Sequence, residues 1–183
     1  MPDVQWFKNL FLEAENTSKA YVANPATASA GLAGRIERGT SGKFILVNEK
    51  GWEYTQFVEK GLMGSLFLHQ IYNTYLTDQR IGNNVENTLM AEGKNYTPME
   101  HHWDEAFGYY GAPDNFPRND QDQYWAKYAG PALGTTSEQL DIYGAIKNAF
   151  LKGRAAIAAG DMNIKNEARD ALYEQLELMV AAT

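Results

Sequence analysis

Two of the chain's three histidines stand side by side at His101 and His102, and Glu105 follows at helical spacing. On a helix, His101 and Glu105 lie four residues apart and His102 and Glu105 three apart, so either imidazole can share a face with the carboxylate. Three kinds of chemistry fit such a pair. It can be half of a metal site suited to Fe, Zn or Mn, a general acid/base pair, or an ordinary ion pair beside a buried stripe. Two donors do not close a metal site. Glu53 and Glu59, or Glu138 and Asp141, are the acids on other expected helices that can add to them. The pattern of a di-metal carboxylate bundle, Glu-x-x-His on two helices, does not occur.

The element that must carry these residues is legible almost residue by residue. Thr97 suits the N-cap and Pro98 the first helical position, where a missing N–H costs nothing. Glu100 is placed to reach back to the Thr97 amide and complete a capping box. Met99, Trp103, Phe107 and Tyr110 form an apolar stripe that docks the helix. Gly108, Gly111 and then Pro113 stop it after about three turns of ~3.6 residues.

Composition narrows the remaining functions. The chain has 183 residues, 44% of them hydrophobic and 13% aromatic, which suits one globular domain, and that is the expected organisation over 1–183. A net charge of −7 without a basic cluster argues against nucleic acid as a partner. With no cysteine there are no disulfides, thiolate metal sites or thiol nucleophiles. The longest apolar run, Gly61 to Leu68, is far short of the ~20 residues a membrane-spanning helix needs. No targeting segment is visible at the N-terminus. Gly39-Thr40-Ser41-Gly42-Lys43 fails as a phosphate loop, because position 37 is Glu37 and Phe44 follows the lysine. There is no His-Glu-x-x-His, and three histidines are too few for a well-furnished zinc hydrolase site unless carboxylates fill in.

The rest of the chain reads as helices joined by long polar stretches. Pro2 to about Tyr21 is amphipathic, with Val4, Phe7, Leu10, Phe11 and Ala14 as its stripe. One weak helical turn is expected at 30–36 and a short strand at Phe44–Val47. The longest helix runs from Glu53 to about Leu76, lined by Tyr54, Phe57, Val58, Leu62, Leu66, His69 and Tyr72 or Asn73, a side that Phe67, Leu68 and Ile71 widen. Gly61, Gly64 and Ser65 suggest a tight crossing with a neighbour, and His69 reads as a core histidine. A short helix is expected over Val85–Ala91, a solvated loop over Asp114–Asp122, and an aromatic helix with Tyr124, Trp125 and Tyr128 before Gly130. Thr136 to Gln139 forms a second capping box, opening a helix to about Ala159 lined by Leu140, Tyr143, Ile146, Phe150, Gly153 and Ile157. Lys152 and Arg154 on it either point away or neutralise an acidic site. Gly160-Asp161 separates it from a last helix, about Ile164 to Ala182, with Ile164, Ala168, Leu172, Leu176 and Met179 inward. That helix ends without a glycine cap, as in a fragment of a longer protein. The class these elements imply is all-α, an antiparallel helical bundle with long loops.

Lys60 to Gly64, Met99 to Gly111 with its His-His-Trp-Asp-Glu-Ala-Phe-Gly-Tyr block, and Ala149 to Ile157 resemble a bacterial family. It is a domain of unknown function found in cell-envelope proteins, often lipoproteins, grouped with the imelysin-like proteins of iron uptake. The resemblance spans about residues 35–183. It implies an imelysin-like helical fold in the periplasm or anchored at the outer membrane, a role around iron or another metal, and no established enzymatic activity. Imelysin-like proteins carry Gly-x-His-x-x-Glu. His102 and Glu105 match the His-x-x-Glu part, while position 100 is Glu100 in place of glycine.

Three functions follow in order. The first is a non-enzymatic envelope protein that binds a metal (Fe, Zn or Mn) or a metal chelate through His102 and Glu105, with His101 beside them. The second is a structural scaffold that meets other envelope proteins. The third is a metal-dependent hydrolase, or another enzyme, using the His/Glu pair.

Overall fold

The computed structural model describes residues 4–113, 121–129 and 141–183. By compactness the chain divides into two units, Met1–Ser65 and Leu66–Thr183. Both are mostly helical, and the first also carries a small sheet.

In the first unit, helix α1 spans Val4–Ala23, two strands follow as β1 (Gly34–Glu37) and β2 (Phe44–Val47), and helix α2 spans Tyr54–Leu62. The strands pair antiparallel, Gly34 opposite Val47 and Glu37 opposite Phe44. The short strand expected at 44–47 is present. The helical turn expected at 30–36 is instead β1, because Ile36 and Arg35 find a partner strand that the local pattern did not reveal. In α1 only Leu10 of the expected stripe is buried, while Val4 and Phe11 are exposed. Gly61 does mark a close approach: a Cβ there would lie 3.0 Å from the Phe7 ring. At Gly64 there is open space, so the expected crossing does not extend that far.

The helix that begins as α2 does not stay α-helical. It continues through two π-helical segments, Met63–Leu68 and Ile71–Tyr75. Each i→i+5 bond widens the turn, so inward positions no longer recur every ~3.6 residues. Phe67, Ile71 and Leu76 face inward at steps of four and five, and Leu66, expected inside, is 53% exposed. His69, expected in the core, is half-buried and bonds its neighbour Asn73 at 3.2 Å.

The second unit holds the remaining helices: α3 (Asp78–Ile81), α4 (Pro98–Tyr110), α5 (Tyr124–Ala129), α6 (Ile142–Ala159) and α7 (Met162–Ala182). No helix forms at 85–91. The Glu86 carboxylate takes the amides of Thr88 and Leu89 at 2.6 and 2.9 Å, and Asn87 reaches away to the Ile157 carbonyl at 2.7 Å. Such side-chain bonds offer the backbone a rival to helix. The capping box expected at Thr136–Gln139 and most of the Asp114–Asp122 loop lie outside the described residues. Within them, α6 is capped by Asp141, whose carboxylate accepts from Gly144 N at 2.8 Å. Asp122, expected to be solvated, is buried and accepts the Tyr143 hydroxyl at 3.0 Å.

Helices α6 and α7 form a hairpin through Gly160, which sits at φ 72° and ends α6, while Asp161 caps α7 by accepting from Ile164 N at 3.0 Å. Ile146, Phe150 and Ile157 of α6 and Ala168, Leu172, Leu176 and Met179 of α7 are buried, as their spacing predicts, whereas Ile164 is 37% exposed. Unforeseen from the stripe, Lys165 is buried and gives its Nζ proton to the Ile81 carbonyl at 2.5 Å, capping α3. About two turns further on, the Tyr173 hydroxyl donates to the Leu76 carbonyl at 2.9 Å, and the Tyr72 hydroxyl donates back to the Tyr173 carbonyl at 3.2 Å. Thus α7 satisfies orphan carbonyls at two helix ends.

The tightest contact is between α4 and α6. The Trp103 indole lies on Gly153, where an added Cβ would come within 2.0 Å of the ring, and its N–H donates to the Phe150 carbonyl at 3.0 Å. Gly153→Ala therefore displaces a packed indole and costs about 1–3 kcal/mol, the range for overpacking a core, read as a lowered urea midpoint. Lys165 generates a second test. Burial, then the Arg169 charge, push its amine below the ordinary value, with Asp78 and Asp170 opposing. The folded state thus holds this proton less tightly than the unfolded chain, and stability rises with pH between the folded value and the unfolded value of about 10.4. Measured against Lys165→Met, the natural chain gains stability as the pH is raised through that window. A difference independent of pH would contradict the burial of a charged amine.

Candidate functional site

The N-terminus of α4 is built as its residues predict. The Thr97 hydroxyl accepts from Glu100 N at 3.2 Å, and the Glu100 carboxylate accepts from Thr97 N at 2.8 Å. Pro98 opens the helix and Gly111, in the left-handed region, closes it, with Gly108 retained inside. Thr97 also donates its hydroxyl proton to Asn87 at 2.9 Å, tying the cap to the preceding loop.

Successive residues advance by roughly 100° around a helix, and on α4 this sorts the block into three edges. Met99, Trp103, Ala106 and Tyr110 are buried. Glu100 and Asp104 form a second edge, clamped by Arg154 of α6 at 2.5 Å and 3.0 Å respectively. Burial opposes ionisation of Glu100, but the Thr97 backbone bond and Arg154 outweigh it and hold the carboxyl below its ordinary value. Burial pushes Asp104 the other way, only partly offset by Arg154. A cavity of about 260 Å³ opens beside this edge, lined by Trp103, Phe107, Phe150 and Leu151 with Arg154 at its border. Lys152 pairs with Glu167 at 2.9 Å. Of Lys152 and Arg154, then, Arg154 neutralises acids of α4, while Lys152 pairs with α7.

The third edge carries His101, His102, Glu105 and Tyr109. His101 Nε2 lies 3.6 Å from Glu105, both side chains being partly exposed, and the Tyr96 ring stacks on His101 at 5.1 Å. His102 turns toward the second π-helical segment, its ring 6.2 Å from that of Tyr75. Its Nδ1 is buried and has no hydrogen-bond partner among the described residues. Burial, then the charges of Arg80 and His101, push His102 below its ordinary value, with Glu105 pulling upward. Tyr75 stacks on Tyr109 at 5.5 Å, and burial, Glu105 and Tyr109 together raise the Tyr75 phenol.

The pair that the structure brings together is thus His101 with Glu105; His102 has its own surroundings one step around the helix. Neither Tyr75 nor Tyr109 stood out in the sequence. Tyr109 follows Glu105 at i+4, a signal that was there to use, whereas Tyr75 reaches α4 only through the π-helical register. Among the described residues no group of three His, Cys, Asp or Glu lies close enough to hold a metal ion. Glu53 pairs with Arg38, and Glu59 with Lys60 at 2.8 Å, within the first unit. Asp141 is occupied as an N-cap, and Glu138 lies outside the described residues. Among the described residues, then, acids and imidazoles alone do not build a closed metal site.

A family model described as "Domain of unknown function (DUF4856)" matches residues 4–183. The chain belongs to that family. The match begins at α1, well before the residue-35 limit that the resemblance of the blocks implied, so both units of the DUF4856 domain fall within it. No curated protein and no solved structure matches the chain. No helix among the described residues is long and apolar enough to cross a membrane.

Arg154 holds the second edge of α4 of the DUF4856 domain through a planar fork that reaches two carboxylates at once. An ammonium cannot reproduce that geometry. Arg154→Lys is expected to cost about 1 kcal/mol, discounted for partial exposure, while Arg154→Ala, which also strips the cavity border, costs more. Urea unfolding of the two variants against the natural chain checks this order.

Proposed function

We propose that this DUF4856 domain is a non-enzymatic binding protein of the cell envelope, periplasmic or anchored at the outer membrane and related to the imelysin-like proteins of iron uptake. Its cargo is a metal that arrives already held by a chelator. The observation that carries the reading is the donor pair His101 Nε2 and Glu105, 3.6 Å apart on an exposed helix edge. Imidazole and carboxylate donors each bind at about 2.0–2.2 Å, so two of them on one ion stand roughly 3–3.5 Å apart. A small side-chain adjustment brings this pair into range. Two or three protein donors leave coordination positions open, which suits a cargo that brings its own ligands. The capped, Trp103-anchored helix keeps the pair oriented and reduces the ordering cost of capture.

A second reading has its own support. Most of the block around the histidines is absorbed by packing: Trp103 by Gly153, Glu100 by the cap, and Glu100 and Asp104 by Arg154. That division also suits a scaffold whose exposed His/Tyr edge meets another envelope protein. A hydrolase finds least support, since His102 Nδ1 has no hydrogen-bond partner among the described residues whose proton it could take.

Equilibrium dialysis against the nitrilotriacetate complexes of Fe(III), Zn(II) and Mn(II) tests the first reading. The natural chain should retain at least one of them, and His101→Ala and Glu105→Ala should each weaken retention tenfold or more. Equal retention, or none, by all three proteins would overturn it in favour of the scaffold.

A further inference from the structure

We infer that the cavity between α4 and α6 is a binding site for a small aromatic carboxylate, its ring seated against Trp103, Phe107, Phe150 and Leu151 and its acid group at Lys147. The site lies on the Arg154 side of α4, away from the His101–Glu105 pair, and stands independently of the metal reading.

Helical spacing builds both walls. Lys147, Phe150, Leu151 and Arg154 fall at i, i+3, i+4 and i+7 of α6, and Trp103 and Phe107 at i and i+4 of α4, so each set shares one face. The volume of about 260 Å³ falls below the ~300–1,000 Å³ of drug-sized sites, which limits the occupant to one ring with a short arm. The Trp103 indole is fixed on Gly153, so the floor of the cavity is held by packing. At the mouth, Leu151 is 56% exposed, a large apolar side chain that a bound ring covers.

The walls select an aromatic body. Phe150 meets Trp103 at 6.1 Å and 77° and Phe107 at 5.3 Å and 74°, both edge-to-face. A further flat ring continues that arrangement, which aromatic pairs prefer to a face-to-face sandwich. The indole N–H is already spent on the Phe150 carbonyl, so Trp103 offers the occupant apolar surface and no donor. A polar body would lose its water there without return.

The border selects the head group. Among the described residues that line the cavity, Lys147 and Arg154 stand against Asp104, an excess of one positive charge. The two bases lie at opposite ends of the α6 stripe, about 10 Å apart along the helix at ~1.5 Å per residue. At one end Arg154 gives its Nε proton to Asp104 at 3.0 Å and an Nη1 proton to Glu100, so its charge is offset. With Asp104 held there, the positive potential is concentrated toward Lys147, and a carboxylate is drawn to that end. Salt screens such an attraction at a half-exposed border.

The test is a fluorine NMR titration of the whole chain with the 4-fluorophenyl forms of phenylpropanoate, phenylpropanol and phenylpropylamine, alike in size and different in charge. The acid should bind with a dissociation constant of about 0.1–1 mM, the range for so small a ligand, and at least tenfold tighter than the alcohol or the amine. Lys147→Gln should weaken the acid tenfold and leave the alcohol unchanged. Leu151→Asp, which sets a carboxylate at the mouth, should weaken the acid at least as much. Equal affinity for the three compounds, a preference for the amine, or no binding of the acid would overturn the site. So would an acid that binds both variants as tightly as the natural chain, since it would then sit elsewhere. If a variant fails to fold, by far-ultraviolet circular dichroism, nuclear Overhauser contacts between the bound ring and the Leu151 methyl groups of the natural chain decide, and their absence overturns the assignment.

Discussion

The close approach of Trp103 to Gly153 is the constraint on which the exposed His/Glu edge of α4 depends. An indole is among the largest apolar groups a helix can bury, and truncating one in a core costs about 3–5 kcal/mol. Here its ring can lie flat on α6 only because residue 153 has no side chain, and its N–H is satisfied by the Phe150 carbonyl. Those two contacts fix both the distance and the rotation of α4. Once the rotation is set, Glu100 and Asp104 must face Arg154, and His101, Glu105 and Tyr109 must face the opposite way. The exposed edge is therefore oriented by an interaction in which none of its residues takes part.

Helix α7 plays the complementary part on the far side of the same unit. Its Lys165 and Tyr173 reach across to the Ile81 and Leu76 carbonyls, groups that a short helix and a π-helical segment leave without intrahelical partners. A buried lysine is a costly way to cap a helix, since its charge loses water and gains in return the bond to the Ile81 carbonyl. The return is a fixed path for the chain between Ile71 and Ile81, the stretch that carries Tyr75 and Arg80 to the side of His102. The two polar anchors of α7 and the apolar anchor of α4 thus converge on one geometry.

Within the His-His-Trp-Asp-Glu-Ala-Phe-Gly-Tyr block, the residues divide by edge and by task. Those that look most distinctive in the sequence, the tryptophan and the first acids, work for packing and for the clamp. The residues left outside the buried stripe and the clamp are His101, His102, Glu105 and Tyr109. Such a division allows one short helix to be both an anchor and a display, because the ~100° advance per residue separates the two roles without lengthening the element. It also explains why the neighbourhood of His102 is aromatic. Tyr75, Tyr109 and, across Phe67, Tyr124 cover the ground between α4 and the π-helical stretch.

Elements governed by local chemistry were legible in the residues themselves. The Thr97–Glu100 box, the α4 stripe, the α6 and α7 stripes and the turn at Gly160-Asp161 each depend on side chains within a few positions of one another. The family blocks and the helical character of most of the chain were legible for the same reason. What the residues alone did not reveal depends on partners distant in sequence. Strand β1 exists because β2 pairs with it; the 85–91 segment stays irregular because Asn87 serves Ile157 and Thr97; Lys165 is buried because α3 ends beneath it. The π-helical register shift is the clearest case. Regular ~3.6-residue spacing put Leu66 and His69 inside together with Phe67 and Ile71, but the wider turns keep Ile71 there, leave Leu66 exposed and swing Tyr75 onto α4. Local propensity decides whether a segment is helical, but only the neighbours it packs against decide how many residues it spends on each turn.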